Sequence, residues 1–97
     1  MAEARRWYLI MYDIRDDRRW RDVYEIVRSW GLRLQYSVFR VCVTDRDRER
    51  LRWEVARALA PEDSFLIIGL CDSCVERVRA MNPKSEWPDP PPPLVVL

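Results

Sequence analysis

Three groups of side chains in this 97-residue chain could do chemistry: Asp13, a large arginine population and a pair of cysteines. Asp13 ends the run Trp7 to Asp13, WYLIMYD, in which six large apolar or aromatic residues stop abruptly at a carboxylate. As a buried strand, that run would place the acid at its carboxyl end, where open α/β sheets gather their chemistry. The alternative is that Asp13 only caps the following turn. Of the 17 basic residues, 16 are Arg and only Lys84 is Lys. Arg forks match phosphate and carboxylate geometry and stack on aromatic rings, which suits a nucleic-acid surface, although an Arg-rich genome or adaptation to heat would give the same bias. Residues 1–60 hold 14 basic against 10 acidic side chains and residues 61–97 hold 3 against 6, so any bound phosphate would lie on the first two-thirds. Cys71 and Cys74 form a C-x-x-C, but there is no second pair, and no His completes a zinc site. The pair follows the last apolar run, whereas a redox motif would normally open a helix after an early strand. It therefore reads as structural or incidental thiols.

The scaffold that must position these groups is small. A hydrophobic content of 48% in 97 residues supports one domain over residues 1–82, followed by a Pro-rich tail over 83–97. The net charge of +1 gives no strong overall field. The first apolar run is too short for a membrane span or a signal-peptide core, and three cysteines make a poor disulfide framework, so a cytoplasmic protein is expected.

Six β-favouring residues fit a strand better than a helix, which needs about ten or more. With a period of two, Trp7, Leu9, Met11 and Asp13 share one face and Tyr8, Ile10 and Tyr12 the other. The period then changes to helical. Trp20, Val23, Tyr24, Val27 and Trp30 form an apolar stripe, Asp16 caps its start, Asp17 complements the dipole and Gly31 stops the helix. Leu32 to Val43 is long for one strand, and Tyr36 and Ser37 suggest a tight turn between two, with a single bent strand as the alternative. Thr44 and Asp47 look like a capping box, Leu51, Val55, Ala58 and Leu59 repeat at helical spacing, and Pro61 ends this second helix. Its Arg46 to Arg52 run reads as a solvated face laced with ion pairs. Ser64 to Leu70, SFLIIGL, reads as a strand buried on both faces. The order β-α-β-β-α-β is the ferredoxin-like, α+β arrangement.

That topology bears on partners. Two helices cover one face of a four-stranded sheet, yet the first and last strands are apolar on both, so something outside this chain must cover the second face. A homodimer with sheets packed face to face is expected. Val75 to Met81 could form a short helix or strand. The prolines beyond enforce an extended course, and the terminal Leu94, Val95, Val96 and Leu97 would add a strand to a sheet edge, their own or a partner's, or dock on another protein.

Tyr12-Asp13-Ile14 at the end of the first strand, the cluster Arg18, Arg19 and Arg21, and Gly31 followed by Arg33-Leu34-Gln35-Tyr36-Ser37-Val38-Phe39 together resemble the CRISPR-associated protein two family, the small subunit of the CRISPR adaptation machinery. The similarity runs from about Trp7 to Leu70, with Q-Y-S-V-F its most specific part. It implies a ferredoxin-like homodimer, often with a fifth strand crossing to the partner's sheet, that bridges two dimers of the integrase subunit and helps hold duplex DNA during spacer acquisition. It also implies that Asp13 faces its symmetry mate and binds magnesium in members reported as ribonucleases or deoxyribonucleases, with Tyr12, Arg33 and Phe39 near that site.

The residues support part of this independently. Magnesium usually takes one or two carboxylates plus water and substrate phosphates; Asp13 alone, with no His and no neighbouring ligand motif, builds no cage, whereas two across a two-fold axis would make a water-rich site. Arg18, Arg19 and Arg21, beside the strand end, would make sequence-independent, salt-sensitive phosphate contacts with DNA or RNA. Three readings follow: an architectural adaptation subunit, a magnesium-dependent endonuclease on RNA or DNA with catalytic Asp13, and a stand-alone toxin-type endoribonuclease of the virulence-associated D kind.

Overall fold

The computed structural model describes residues 4–81. Their elements are β1 (Arg6–Asp13), α1 (Asp17–Arg28), β2 (Gly31–Gln35), β3 (Val38–Val43), α2 (Asp45–Ala56), β4 (Ser64–Leu70) and α3 (Asp72–Met81). The four strands form one antiparallel sheet in the order β2-β3-β1-β4, so the first strand lies between the third and fourth. This is the expected α+β, ferredoxin-like arrangement, with a third helix added. The fifth strand expected of Leu94 to Leu97 lies outside the described residues.

Alternation along β1 divides the molecule. Tyr8, Ile10, Tyr12 and, just beyond the strand, Ile14 point to the side covered by α1 and α2, where they meet Val23 and Val27 of α1, Leu51 and Val55 of α2, and Phe39, Val41 and Val43 of β3. α1 forms because its apolar stripe has this face to bury, and Asp16 starts it by accepting the Arg19 amide at 2.9 Å. Thr44 does the same for α2, accepting the Asp47 amide at 3.1 Å. Arg52 with Glu49 and Arg50 with Glu54 lace the exposed face of that helix, as its charge pattern predicts. The turn at Tyr36 and Ser37 separates β2 from β3 as expected.

The structure corrects three expectations. Gly31 is not the helix stop: α1 ends at Arg28 with Ser29 as its cap, and Gly31 opens β2 without a left-handed backbone. It is glycine because a Cβ there would run into the Arg40 carbonyl and the Val41 side chain of the neighbouring strand. Pro61 does not end α2 either. The helix stops at Ala56, and tighter i−3 bonds from the Ala58 and Leu59 amides, at 2.9 and 3.4 Å, carry those two residues onto the core.

The third correction concerns the second face of the sheet, which this chain covers in part. α3 packs Val75 and Val78 there with Trp7, Leu9, Leu34, Cys42 and Leu70, and Trp7 is buried. Cover ends partway along: Leu66 and Ile68 of β4 are 55% and 42% exposed, so β4 is not buried on both faces. The far end of β1, carrying Asp13, is open.

Candidate nucleic-acid interface and metal site

Asp13 is the last residue of β1 and sits opposite Ser64, the first of β4. Its side chain is exposed, on the same sheet face as Leu66 and Ile68. The turn between β2 and β3 closes over the neighbouring backbone, the Tyr12 amide donating to the Ser37 carbonyl at 3.2 Å. The N-terminus of α1 follows three residues later, so the end of β1, the 36–37 turn and the first turn of α1 share one end of the molecule.

The candidate side chains divide according to the pleat. Tyr12 and Phe39 lie on the helix side, buried and stacked at a centroid distance of 6.1 Å, out of reach of a nucleic acid on the surface. Burial, reinforced by the nearby Tyr24, pushes the Tyr12 phenol up to about 12. Trp20 meets Tyr12 edge-on and stacks between Tyr24 at 5.2 Å and Tyr36 at 4.7 Å. Arg33 is exposed and lies over the Tyr24 ring at 5.5 Å. This run of rings, with Tyr36 largely exposed at its end, is absent from the residues that the sequence marks out. Helical spacing shows Trp20 and Tyr24 only as core stripe, whereas a hairpin turn places Tyr36 on their stack.

The three arginines clustered at the start of α1 have different roles. Arg18 and Arg21 are exposed. Arg19 is committed to the fold: its Nε donates to Asp63 Oδ2 at 2.8 Å, and its Nη2 donates to Asp63 Oδ1 at 3.3 Å and to Glu62 at 3.0 Å. The Asp63 side chain is nearly inaccessible and also accepts the Ala60 amide at 2.9 Å. The Arg19 bond, with that amide, holds the Asp63 carboxyl below its usual range, and Asp63 raises the Arg19 guanidinium in return. Asp16 and Asp17 sit at the N-terminus of α1, with Asp16 spent as its cap.

These positions fit magnesium only in a limited way. Among the described residues no cluster of three or more potential ligands exists, and the sheet itself presents Asp13 alone at its open end, with Asp16 and Asp17 exposed at the start of α1. A second copy facing the open end of the sheet would supply a second Asp13, and water and phosphate would complete the shell.

A family model described as CRISPR associated protein Cas2 matches residues 6–78, from the start of β1 into α3. The chain belongs to the Cas2 family. Among its relatives, a Cas2 endoribonuclease of Archaeoglobus fulgidus is 36% identical over 69 residues, 69% of this chain and 73% of that protein. One of Thermodesulfovibrio yellowstonii is 35% identical over 52 residues, covering 54% of this chain and 57% of that one. The first structural likeness is to a hypothetical protein of Thermus thermophilus, with a TM-score of 0.68 and 33% identity over 70% of this chain and 84% of that one. A chain of a partial Cas6-RT-Cas1–Cas2 complex has a TM-score of 0.71 at 23% identity and covers 95% and 99%, a likeness of fold. The Cas2 match reaches beyond the Trp7 to Leu70 segment that carries the sequence resemblance and takes in most of α3.

Proposed function

We propose that this Cas2 chain is a subunit of the CRISPR adaptation machinery. It acts as a homodimer that pairs Asp13 across a two-fold axis, binds duplex DNA through Arg18, Arg21 and Arg33, and bridges dimers of the integrase Cas1. Family membership supports the adaptation role. One observation carries the site: Asp13 stands exposed at the uncovered end of the same sheet face that presents Leu66 and Ile68 to solvent. A second copy packed on that apolar stretch brings two carboxylates to one axis.

Such a pair would hold magnesium, which when bound polarises a phosphate and lowers the pKa of an attacking water. The endoribonuclease names of the relatives support the catalytic reading with RNA as substrate; DNA is the other substrate of the proposal. Arg18, Arg21 and Arg33 would seat the phosphodiester backbone without reading bases. Arg19, expected to join them, reaches a phosphate only by giving up Asp63. Tyr12 and Phe39 act from beneath, as the packed floor that fixes the strand end.

The test is cleavage of single-stranded RNA and duplex DNA by wild type and Asp13→Asn, each with magnesium and with chelator, with light scattering to follow dimerisation. Cleavage lost in the dimeric variant and in the chelated wild type supports the metal site. Equal cleavage by the variant, or none by wild type, removes it and leaves the architectural role.

A further inference from the structure

The end of the sheet opposite Asp13 holds a second constellation, about 20 Å away by the rise of the six intervening strand residues. β4 ends at Leu70 and α3 begins at Asp72, so Cys71 occupies the junction. Its carbonyl accepts the Val75 amide at 3.0 Å, the first turn of the helix, and this places Cys71 at the N-cap. One turn on, Cys74 brings its sulfur to 3.2 Å from that of Cys71, and the Ser73 hydroxyl lies 3.1 Å from the same atom. Cys71 is exposed and Cys74 partly so. The C-x-x-C therefore does open a helix, the context that its position late in the chain argued against.

A helix N-terminus favours an anionic sulfur. Hydrogen bonding with the Ser73 hydroxyl, and then with the side chain and backbone of Cys74, lowers the Cys71 thiol to about 7. The third cysteine is the contrast, since burial pushes the Cys42 thiol up. Beside Cys71 opens a cavity of about 710 Å³, lined by Arg5, Arg6, Arg48 and Arg52 with Asp72 as its acid. Arg48 and Arg52 are partly neutralised by Glu49, and Arg48 also by Asp45. Even so, the lining of the cavity carries an excess of positive charge.

We propose that Cys71 and Cys74 are a redox-active dithiol that exchanges with a small anionic disulfide of the glutathione type, seated in the arginine-lined cavity. The Cys71 thiolate attacks one sulfur of the disulfide, forming a mixed disulfide and releasing one thiolate. Cys74 then gives its proton to solvent and attacks the Cys71 sulfur, closing the Cys71–Cys74 bond and releasing the second thiolate. Two protein thiols are oxidised, one disulfide is reduced to two thiols, and the reverse exchange restores the pair. The bond spans only the first turn of α3 and requires no movement of β4.

The test uses the full chain. Wild type, Cys71→Ser, Cys74→Ser and Arg5→Ala/Arg6→Ala are incubated with glutathione disulfide, and separately with the neutral bis(2-hydroxyethyl) disulfide, and followed by intact mass and thiol counting. Wild type should lose two thiols together and regain them with reduced glutathione. Cys74→Ser should trap a single adduct on Cys71 at a rate that falls as pH drops through about 7, and Cys71→Ser should react at least tenfold more slowly. The double arginine variant should slow several-fold with the anionic disulfide and little with the neutral one. Three free thiols throughout, adducts at Cys42 as fast as at Cys71, or reaction only after a chelator strips a metal from the pair would each overturn the dithiol assignment. Equal slowing with both disulfides would overturn the anionic pocket.

Discussion

Tyr12 carries a hydroxyl that the fold buries and leaves without a hydrogen-bond partner among the described residues. Its ring, packed with Phe39 and Trp20, is what stabilises; its polar atom costs free energy by losing water and gaining nothing. Tyr12→Phe should therefore leave the melting temperature unchanged or raise it, while Tyr12→Ala should cost about 3–5 kcal/mol by opening a core cavity. The phenol adds a pH dependence of definite sign. Its folded value of about 12 lies above the ordinary 10.0, so the neutral form is favoured by folding. Stability is intact below pH 10 and declines between there and about 12 as the unfolded chain ionises first. Thermal melts across that window should show wild type losing stability faster than Tyr12→Phe, and a lower melting temperature for Tyr12→Phe at neutral pH would contradict the account. Asp13, the next residue, faces the other side. That opposition is legible in the period of β1, whereas the family resemblance sets Tyr12 near the site by its position in the motif, which does not say on which side of the sheet the ring lies.

At the scale of the element, α1 shows what sequence can and cannot supply. Its apolar stripe and its Asp16 cap were legible because both depend on neighbours within a turn. The role of Arg19 was not, because its partner Asp63 is 44 residues away and only the folded chain joins the first turn of α1 to the approach to β4. Gly31 shows the same limit: its requirement comes from the backbone of β3, not from the helix it follows. Arg19→Ala should lower the melting temperature by a few degrees, because it leaves a nearly inaccessible carboxylate without its cation. The bond depresses the Asp63 value, so its stabilisation is present above the ordinary carboxylate range and is lost as pH falls through the lowered one. The gap between wild type and variant should then narrow below about pH 4, and a gap independent of pH would count against the pairing. Arg18→Ala/Arg21→Ala should behave differently, keeping the melting temperature while weakening duplex DNA binding alike across sequences, with the salt slope reduced by about one for each phosphate no longer neutralised. Titrations at several salt concentrations measure this, and an unchanged slope would remove these two side chains from the interface.

At the scale of the molecule the sheet has one finished face and one half-finished face. α3 covers the Trp7 end of the second face, which the sequence could not fix because the segment from Cys71 onward has only a weak helical pattern and few apolar residues. The remaining stretch offers Leu66 and Ile68 to solvent and ends at Asp13. An apolar patch flanking a carboxylate suits the proposed two-fold axis: the patch would supply burial, and the acids would meet where magnesium could offset their repulsion. In an isologous interface every substitution is made twice, so Leu66→Glu would set two unpaired carboxylates into the apolar contact. Its dissociation constant should rise by more than about a hundredfold, near 3 kcal/mol, with the melting of the single chain little altered because Leu66 is already exposed. Sedimentation over a dilution series would read the effect. If the proposed site exists only in the dimer, Leu66→Glu should lose cleavage and DNA capture in proportion to its dissociation and recover both at high protein concentration, whereas Asp13→Asn should stay dimeric and recover nothing. A dimer that survives Leu66→Glu and Ile68→Glu together would place the interface elsewhere and leave the Asp13 pairs apart.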